Sequence, residues 1–433
     1  MLLVYTPHIT PRIKYVFKQI CTRILNIEVS FTNTVEDFIA HDSLKMSYAS
    51  QQLGNEFFVR HHPILSEHGL SDIDINVQDW DETKCFFYNG DKSSIPFDIF
   101  AASFYLLSRY EEYLPHVKDE YGRFTIKESL AYKHNFLLQP VVDIWANKFR
   151  SALEDKYSNF NFPKRNYQID LAIDVPMAYY FKHKGLMRII GGTFGDVFQF
   201  KFKRLYQRLS VLLGFKKDPY DTYKWILNKQ KQIKSKLTVF FLIGDFSTYD
   251  KNISINKKQF VSLIKSIGDY CRVGLKVSYF AVENPKILKK EKRNMEAIIN
   301  TALKASRNSF SKLYLPKTYR SLIELEIQED YTMGYVNDIG FRAGTCTPFY
   351  FYEIDYETQT PLMIKPFCFM DAAALKIKSQ LDKRETLERL IQEVKKVNGT
   401  FTAVFHNYSF SNEERWKGFK KLFTLILNST HEN

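Results

Sequence analysis

The stretch "LAIDVPMAYYFKHKG", Leu171 to Gly185, decides how the chain is read. Leu171, Ala172 and Ile173 form the short apolar run of a fully buried strand, and Asp174 stands where that strand ends and opens into a loop. A carboxylate carried to the mouth of a cleft on a rigid strand is a common way to present a base or a metal ligand. Two residues on, Pro176 can neither titrate nor ligate, so the same stretch asks whether this strand end still does chemistry.

Outward from Asp174 the pattern is regular. Strand-like runs at Leu171–Ile173, Leu237–Gly244, Val273–Leu275, Tyr331–Met333 and Phe401–Phe405 alternate with helical spacing over Asp221–Gln232, Lys257–Tyr270, Pro316–Glu324 and Lys383–Val397. That alternation predicts a parallel sheet, in a barrel or an open arrangement, with polar residues at the C-terminal strand ends as the site candidates. Upstream, Leu2–Tyr5 reads as a strand and Arg12–Leu25 as a helix, so the chain begins as an α/β unit. Short strand-like pieces between Ile75 and Phe87 precede helices expected over Phe97–Tyr113 and Gln139–Leu153. The polar segment Glu154–Gln168, with Pro163 inside it, separates the two regions. The expected organisation is a smaller α/β domain over 1–165 followed by a larger one over 166–433.

Composition agrees with a folded chain: 433 residues, 45% hydrophobic, 25% charged, with only 14 prolines and 17 glycines. The formal charge of +13 invites a nucleic-acid reading, but the excess is spread along the chain. Its densest run, "ILKKEKRN" (Ile287 to Asn294), reads as the solvated face of a helix, so nucleic acid is not expected as a partner. On charge alone an anionic polymer or membrane surface is the better candidate. Five cysteines without C-x-x-C spacing form neither a disulfide framework nor a zinc knuckle. The N-terminus lacks a basic region ahead of an apolar stretch and is broken by Pro7 and Pro11, and no run approaches a membrane span. These features predict a cytoplasmic protein with no transmembrane segment.

The remaining strand ends carry chemistry. Lys276 and Ser278 follow "VGL", Glu329 and Asp330 precede "YTMGY", and His406 follows "FTAVF". Between the last two lies "GFRAGTCTPFYFYE" (Gly340 to Glu353), an arginine, Arg342, in a loop shaped by Gly344 and Pro348.

In this order, "LLVYTPHITPRI", "PFDIFAASFYLLSRYEEYLPH", "FKHKG", "DPYDTY", "GDFSTYDKNIS", "EDYTMGY", "FRAGTCTPFYFY" and "NGTFTAVFHN" resemble the polysaccharide deacetylase family, the NodB-homology domain of carbohydrate esterase family four. They resemble most a bacterial branch that carries an additional N-terminal α/β domain. The resemblance implies a distorted (β/α) barrel that removes acetyl groups from N- or O-acetylated sugars. It implies a divalent metal such as zinc, held by one aspartate and two histidines, that polarises the acetyl carbonyl and its attacking water. Carried onto this chain, it makes Asp174 the base, Arg342 the arginine that orients it, Asp371 in "PFCFMDAAAL" the aspartate that steadies that arginine, and His406 the leaving-group acid.

The ligand positions depart from this pattern. The second aspartate expected after the base is Pro176, the histidine of "GLHPSY" is Lys276 in "GLKVSY", and the histidine of "SRQH" is Ser309 in "SRNS". No metal cofactor is therefore expected, unless other groups such as Asp170 or His183 replace the ligands. The aromatic loop around Pro348, Phe349 and Tyr350 keeps the family's form and offers ring faces for sugar stacking. Two function classes stay open. One is a metal-dependent deacetylase acting on acetylated polysaccharide or oligosaccharide; the other is a pseudoenzyme that binds glycan or partner proteins of the same surface-polysaccharide pathway.

Overall fold

The structure is a computed structural model and describes residues 1–90, 92–233 and 237–430. The first apolar runs build a small parallel sheet of β1 (Leu2–Tyr5), β2 (Val29–Thr32), β3 (Lys45–Ala49) and β4 (Phe57–Arg60), in the order β2-β1-β3-β4. Thr10 caps the helix Pro11–Phe17 by accepting from the Ile13 amide, and the turn continues as a π-helix over Lys18–Ile24. A two-stranded hairpin, β5 (Gln78–Trp80) and β6 (Thr83–Cys85), occupies the region of short strand-like pieces. The helix expected from Phe97 to Tyr113 stops at Leu107, because Arg109 turns left-handed with φ 56° and starts a 3₁₀ turn over Tyr110–Glu112.

The second sheet has nine strands: β7 (Gln168–Val175), β8 (Thr238–Leu242), β9 (Arg272–Val277), β10 (Ala305–Asn308), β11 (Glu329–Asp330), β12 (Phe349–Glu353), β13 (Thr358–Ile364), β14 (Phe369–Met370) and β15 (Thr400–His406). Their order is β12-β13-β11-β10-β9-β8-β7-β15-β14, parallel throughout except for the β12–β13 pair. The sheet is open: β12 and β14 end it, and among the described residues no ladder joins them into a closed barrel. The strand expected at Tyr331–Met333 lies two residues earlier, as β11, and four strands, β10, β12, β13 and β14, were not anticipated from periodicity.

One contiguous apolar core runs through both sheets, including Trp145 and Phe104 from the first half and Tyr352 and Phe405 from the second. Polar contacts reinforce the seam. Arg12 donates to Glu357 (Nε to Oε2, 2.8 Å), and the Tyr15 hydroxyl donates to the Tyr350 carbonyl at 2.8 Å. Asp143 accepts from the Thr345 hydroxyl at 2.6 Å and the Cys346 amide at 3.0 Å. At Gly340, φ 139°, a Cβ would stand 2.6 Å from the Leu137 carbonyl oxygen, so only glycine lets this loop approach the first half so closely.

Candidate functional site

Register aligns the candidate residues. His406 on β15 stands opposite Asp174 on β7, while Lys276 on β9 stands opposite Arg307 on β10. All four therefore lie at the same end of neighbouring parallel strands. In a flat sheet β10 and β7 would be about 14 Å apart, beyond the combined reach of an arginine and an aspartate side chain. The sheet curls enough to close that gap: Arg307 Nε donates to Asp174 Oδ2 at 3.0 Å and Lys276 Nζ to the same oxygen at 2.7 Å. His406 Nε2 lies 3.9 Å from it.

These groups are almost closed off from solvent, Asp174 and Arg307 at 0%, Lys276 at 4% and His406 at 7% exposure. Burial alone would push the Asp174 carboxyl up, but Arg307 and Lys276 outweigh it and hold the group down at about 2. Lys276 is drawn below the ordinary lysine value by burial, with Asp174 pulling it back up and Arg307 pressing it down. Two cations thus share one carboxylate. Arg307 is further fixed by the Tyr331 carbonyl and by the Ser311 hydroxyl at 3.2 Å.

His406 is held by Asp371. The ring Nδ1 is 2.8 Å from Asp371 Oδ1, the His406 amide donates to Oδ2 at 2.6 Å, and the Ser409 hydroxyl donates to the same oxygen. Nδ1 is on the Asp371 side of the ring, and Nε2 is the nitrogen that faces Asp174. The ring stacks on Tyr408, centroids 4.6 Å apart and 8° from parallel.

Other expected positions fall elsewhere. Arg342 does not reach Asp174; it makes a two-pronged ion pair with Glu112 (Nε to Oε1 2.9 Å, Nη2 to Oε2 2.7 Å) and donates to the Gly334 carbonyl. Its loop serves the seam between the halves, and Asp371 steadies His406 rather than Arg342. Arg307, not Arg342, is the arginine that reaches Asp174. Pro348, Phe349 and Tyr350 also belong to the seam: Gln19 donates to the Pro348 carbonyl at 3.1 Å, Phe349 is buried, and Arg23 covers the Tyr350 ring at 4.4 Å. Asp170, at the start of β7, accepts from the Tyr331 hydroxyl at 3.1 Å, and His183 packs edge-on against Tyr179. Neither approaches Asp174 as a substitute ligand. Pro176 and Ser309 lie beside the strand ends, Ser309 buried. Among the described residues no group of three or more His, Cys, Asp or Glu side chains is arranged to hold a metal ion.

A set of rings that the sequence reading passed over stands on the loops after β8, β9 and β10, at this same end of the sheet. Tyr249 stacks on Tyr279 at 3.8 Å, and Phe310 meets both edge-on. Tyr249 and the neighbouring Phe280 are 41% and 51% exposed, and Lys312 Nζ lies 4.0 Å from the Tyr279 ring centre.

Residues 2–158 match a family of unknown function, DUF7033. None of the curated proteins is significantly similar to the chain. Among solved structures, the chain is similar to a protein assigned as a polysaccharide deacetylase from Mycobacterium smegmatis, at 12% identity over 62% of this chain and 86% of that one, TM-score 0.39. It is also similar to a CE4 family pseudoenzyme from Bacillus anthracis (12% identity, 60% of each chain, TM-score 0.29) and to the polysaccharide deacetylase Bc1974 from Bacillus cereus (16% identity, 49% of this chain and 81% of that one, TM-score 0.28).

Proposed function

We propose that the chain is a deacetylase-like pseudoenzyme that binds acetylated polysaccharide or oligosaccharide without metal-dependent hydrolysis. The observation that carries this reading is the ammonium of Lys276 on Asp174 Oδ2 at 2.7 Å. A catalytic divalent ion needs about three protein donors around an open position. Around Asp174 the corresponding positions offer a proline, an ammonium and a hydroxyl, Pro176, Lys276 and Ser309, and the carboxylate already serves two cations. This donor set does not fit zinc. Burial adds a second argument, since a base that is 0% exposed cannot meet the proton of an attacking water held by substrate.

What remains at the strand ends is a rigid floor and an aromatic rim. Asp371 fixes the His406 ring, the ion cluster ties β7, β9 and β10 together, and Tyr249, backed by Tyr279, and Phe280 present exposed rings suited to pyranose stacking. In this reading residues 1–165 form a unit that braces the barrel-like unit 166–433 through the Arg342–Glu112 pair, and the protein works in the cytoplasm on surface-polysaccharide intermediates.

The test uses the full chain. Wild type is expected to show no saturable zinc heat in calorimetry, no zinc-dependent acetate release from acetylated glycans, and retention on immobilised acetylated glycan that weakens when Tyr249→Ala and Tyr279→Ala are combined. Zinc-dependent deacetylation lost in Asp174→Asn would overturn the reading. Retention unaffected by the tyrosine changes would move the binding surface away from this rim.

A further inference from the structure

The segment between β7 and β8 folds into a hairpin of two helices, Leu186–Phe198 and Phe202–Leu212, whose polarity is inverted for a water-exposed element. Twelve of the twenty-six exposed large hydrophobic side chains among the described residues fall within 186–215. On the first helix Leu186, Met187, Ile190, Phe194 and Phe198 all lie within about a third of the circumference at 100° per residue. They are 73%, 83%, 43%, 59% and 78% exposed. The second helix repeats the pattern at i, i+4, i+7 and i+11 with Phe202, Tyr206, Leu209 and Leu213, all exposed. Phe200 at the tip is 79% exposed, its ring 6.2 Å from that of Phe202.

The cations partly point inward instead. Arg208 is buried on Asp196 (Nε to Oδ2, 2.8 Å) and lies over the Phe181 ring at 5.0 Å. It crosses the first helix at Gly192, where a Cβ would stand 2.6 Å from its Nη1. Arg188 lies over Phe246 at 4.7 Å and donates to the Asn252 carbonyl at 3.2 Å. At the base, Asp218 accepts from the amides of Tyr180 and Tyr220 with one oxygen and of Phe181 and Lys182 with the other, stapling the two ends together. The Arg208–Asp196 pair thus closes the hairpin from within, Arg188, Asp218 and the buried Val211 hold it to the body, and its exposed apolar stripes are left without an occupant.

Charge identifies the occupant. Residues 182–217 carry nine Lys and Arg against one acidic residue, Asp196, so this segment supplies +8 of the chain's +13. The charge excess is therefore concentrated rather than spread. Lys201, Lys203, Lys216 and Lys217 are exposed beside the phenylalanines. A protein partner covering such a face would need a matching acidic rim around an apolar groove, whereas an anionic lipid surface supplies both at once. Neither helix is long enough to cross a bilayer, at 13 and 11 residues.

We infer that this hairpin seats the protein on an anionic lipid bilayer, with its aromatic and aliphatic stripes in the headgroup–acyl boundary and its exposed lysines on the phosphates. The hairpin leaves the sheet directly after β7, the strand that carries Asp174, so the strand-end site is held next to the bilayer surface. This inference does not depend on whether the site binds glycan.

Flotation of the full-length protein with vesicles tests it. The wild type is expected to float with phosphatidylcholine–phosphatidylglycerol vesicles and to remain largely unbound with phosphatidylcholine alone. The combined variant Phe194→Ser, Phe198→Ser and Phe200→Ser, all at exposed positions, should lower the partition coefficient by about tenfold or more. Lys201→Glu with Lys203→Glu should remove the preference for the anionic vesicles. Wild type that floats with neither vesicle, or binding that survives the serine substitutions, would overturn the inference. A wild-type dimer in light scattering that the same substitutions dissociate would also overturn it, because a second copy would then be what covers the face.

Discussion

Lys276 and Asp174 form a buried ion pair, Nζ to Oδ2 2.7 Å, across an intervening strand, with Arg307 completing a cluster of two cations and one carboxylate. Such a cluster is sensitive to which member is removed, because a lone buried charge costs far more than a missing pair.

Asp174→Asn leaves two buried cations without their counter-charge and should destabilise the fold by about 3–5 kcal/mol in urea unfolding. Lys276→Met leaves Asp174 paired with Arg307 and should cost about 1–2 kcal/mol. An Asp174→Asn protein as stable as wild type, as expected where a strained active-site carboxylate is relieved, would contradict a structural role for the cluster.

Acid should dismantle two clusters together. Glu112, despite burial, is held down at about 2 by Arg342 and Arg109, and Asp174 at about 2 by Arg307 and Lys276. Both values lie below the unfolded carboxylate value of about 4, so their stabilisation is complete above about pH 4 and is lost as pH falls toward 2. The thermal midpoint should drop steeply over that window, and Glu112→Gln should lower the midpoint at pH 6 while flattening the drop. An equally steep acid limb in Glu112→Gln would mean that this pair does not drive it.

Glu291 behaves in the opposite sense. It sits on the helix Pro285–Ile299 in the run expected to be solvated, yet it is 3% exposed and accepts from the Ser278 amide at 3.1 Å. Burial raises its carboxyl to about 7. The folded state therefore holds this proton more tightly than the unfolded chain, and stability falls as pH rises from about 4.5 through 7. Glu291→Gln should raise the midpoint at pH 8 and change it little at pH 5; equal effects at both would refute the burial argument.

Rebuilding the donor set tests the metal argument from the other side. Pro176→Asp, Lys276→His and Ser309→His together should create saturable zinc binding by calorimetry, while each single change should not, because affinity depends on ligand number and geometry acting together. A zinc response from Lys276→His alone would show that the remaining donors already suffice.

The strands β7, β8, β9 and β15 were legible because each contains a short apolar run, most of it buried, and such runs announce themselves without any partner. Asp174, Lys276 and His406 followed from them as the polar residues at the strand ends. β10, the sequence Ala-Ser-Arg-Asn, was not legible: all four residues are buried, but three are polar and are held by tertiary partners such as Asp174, Asp330 and Thr332. Arg307 was missed with it. The partners of long charged side chains are decided by how far the sheet curls and how the halves dock. Local sequence fixes an arginine's position but not its reach, so Arg342 belongs to Glu112, 230 residues away, and Arg307 to Asp174. The amphipathic spacing of the hairpin is likewise written in the sequence. That its apolar faces point outward was decided only when the tertiary fold spent the inward face on Asp196, Arg208 and Asn252.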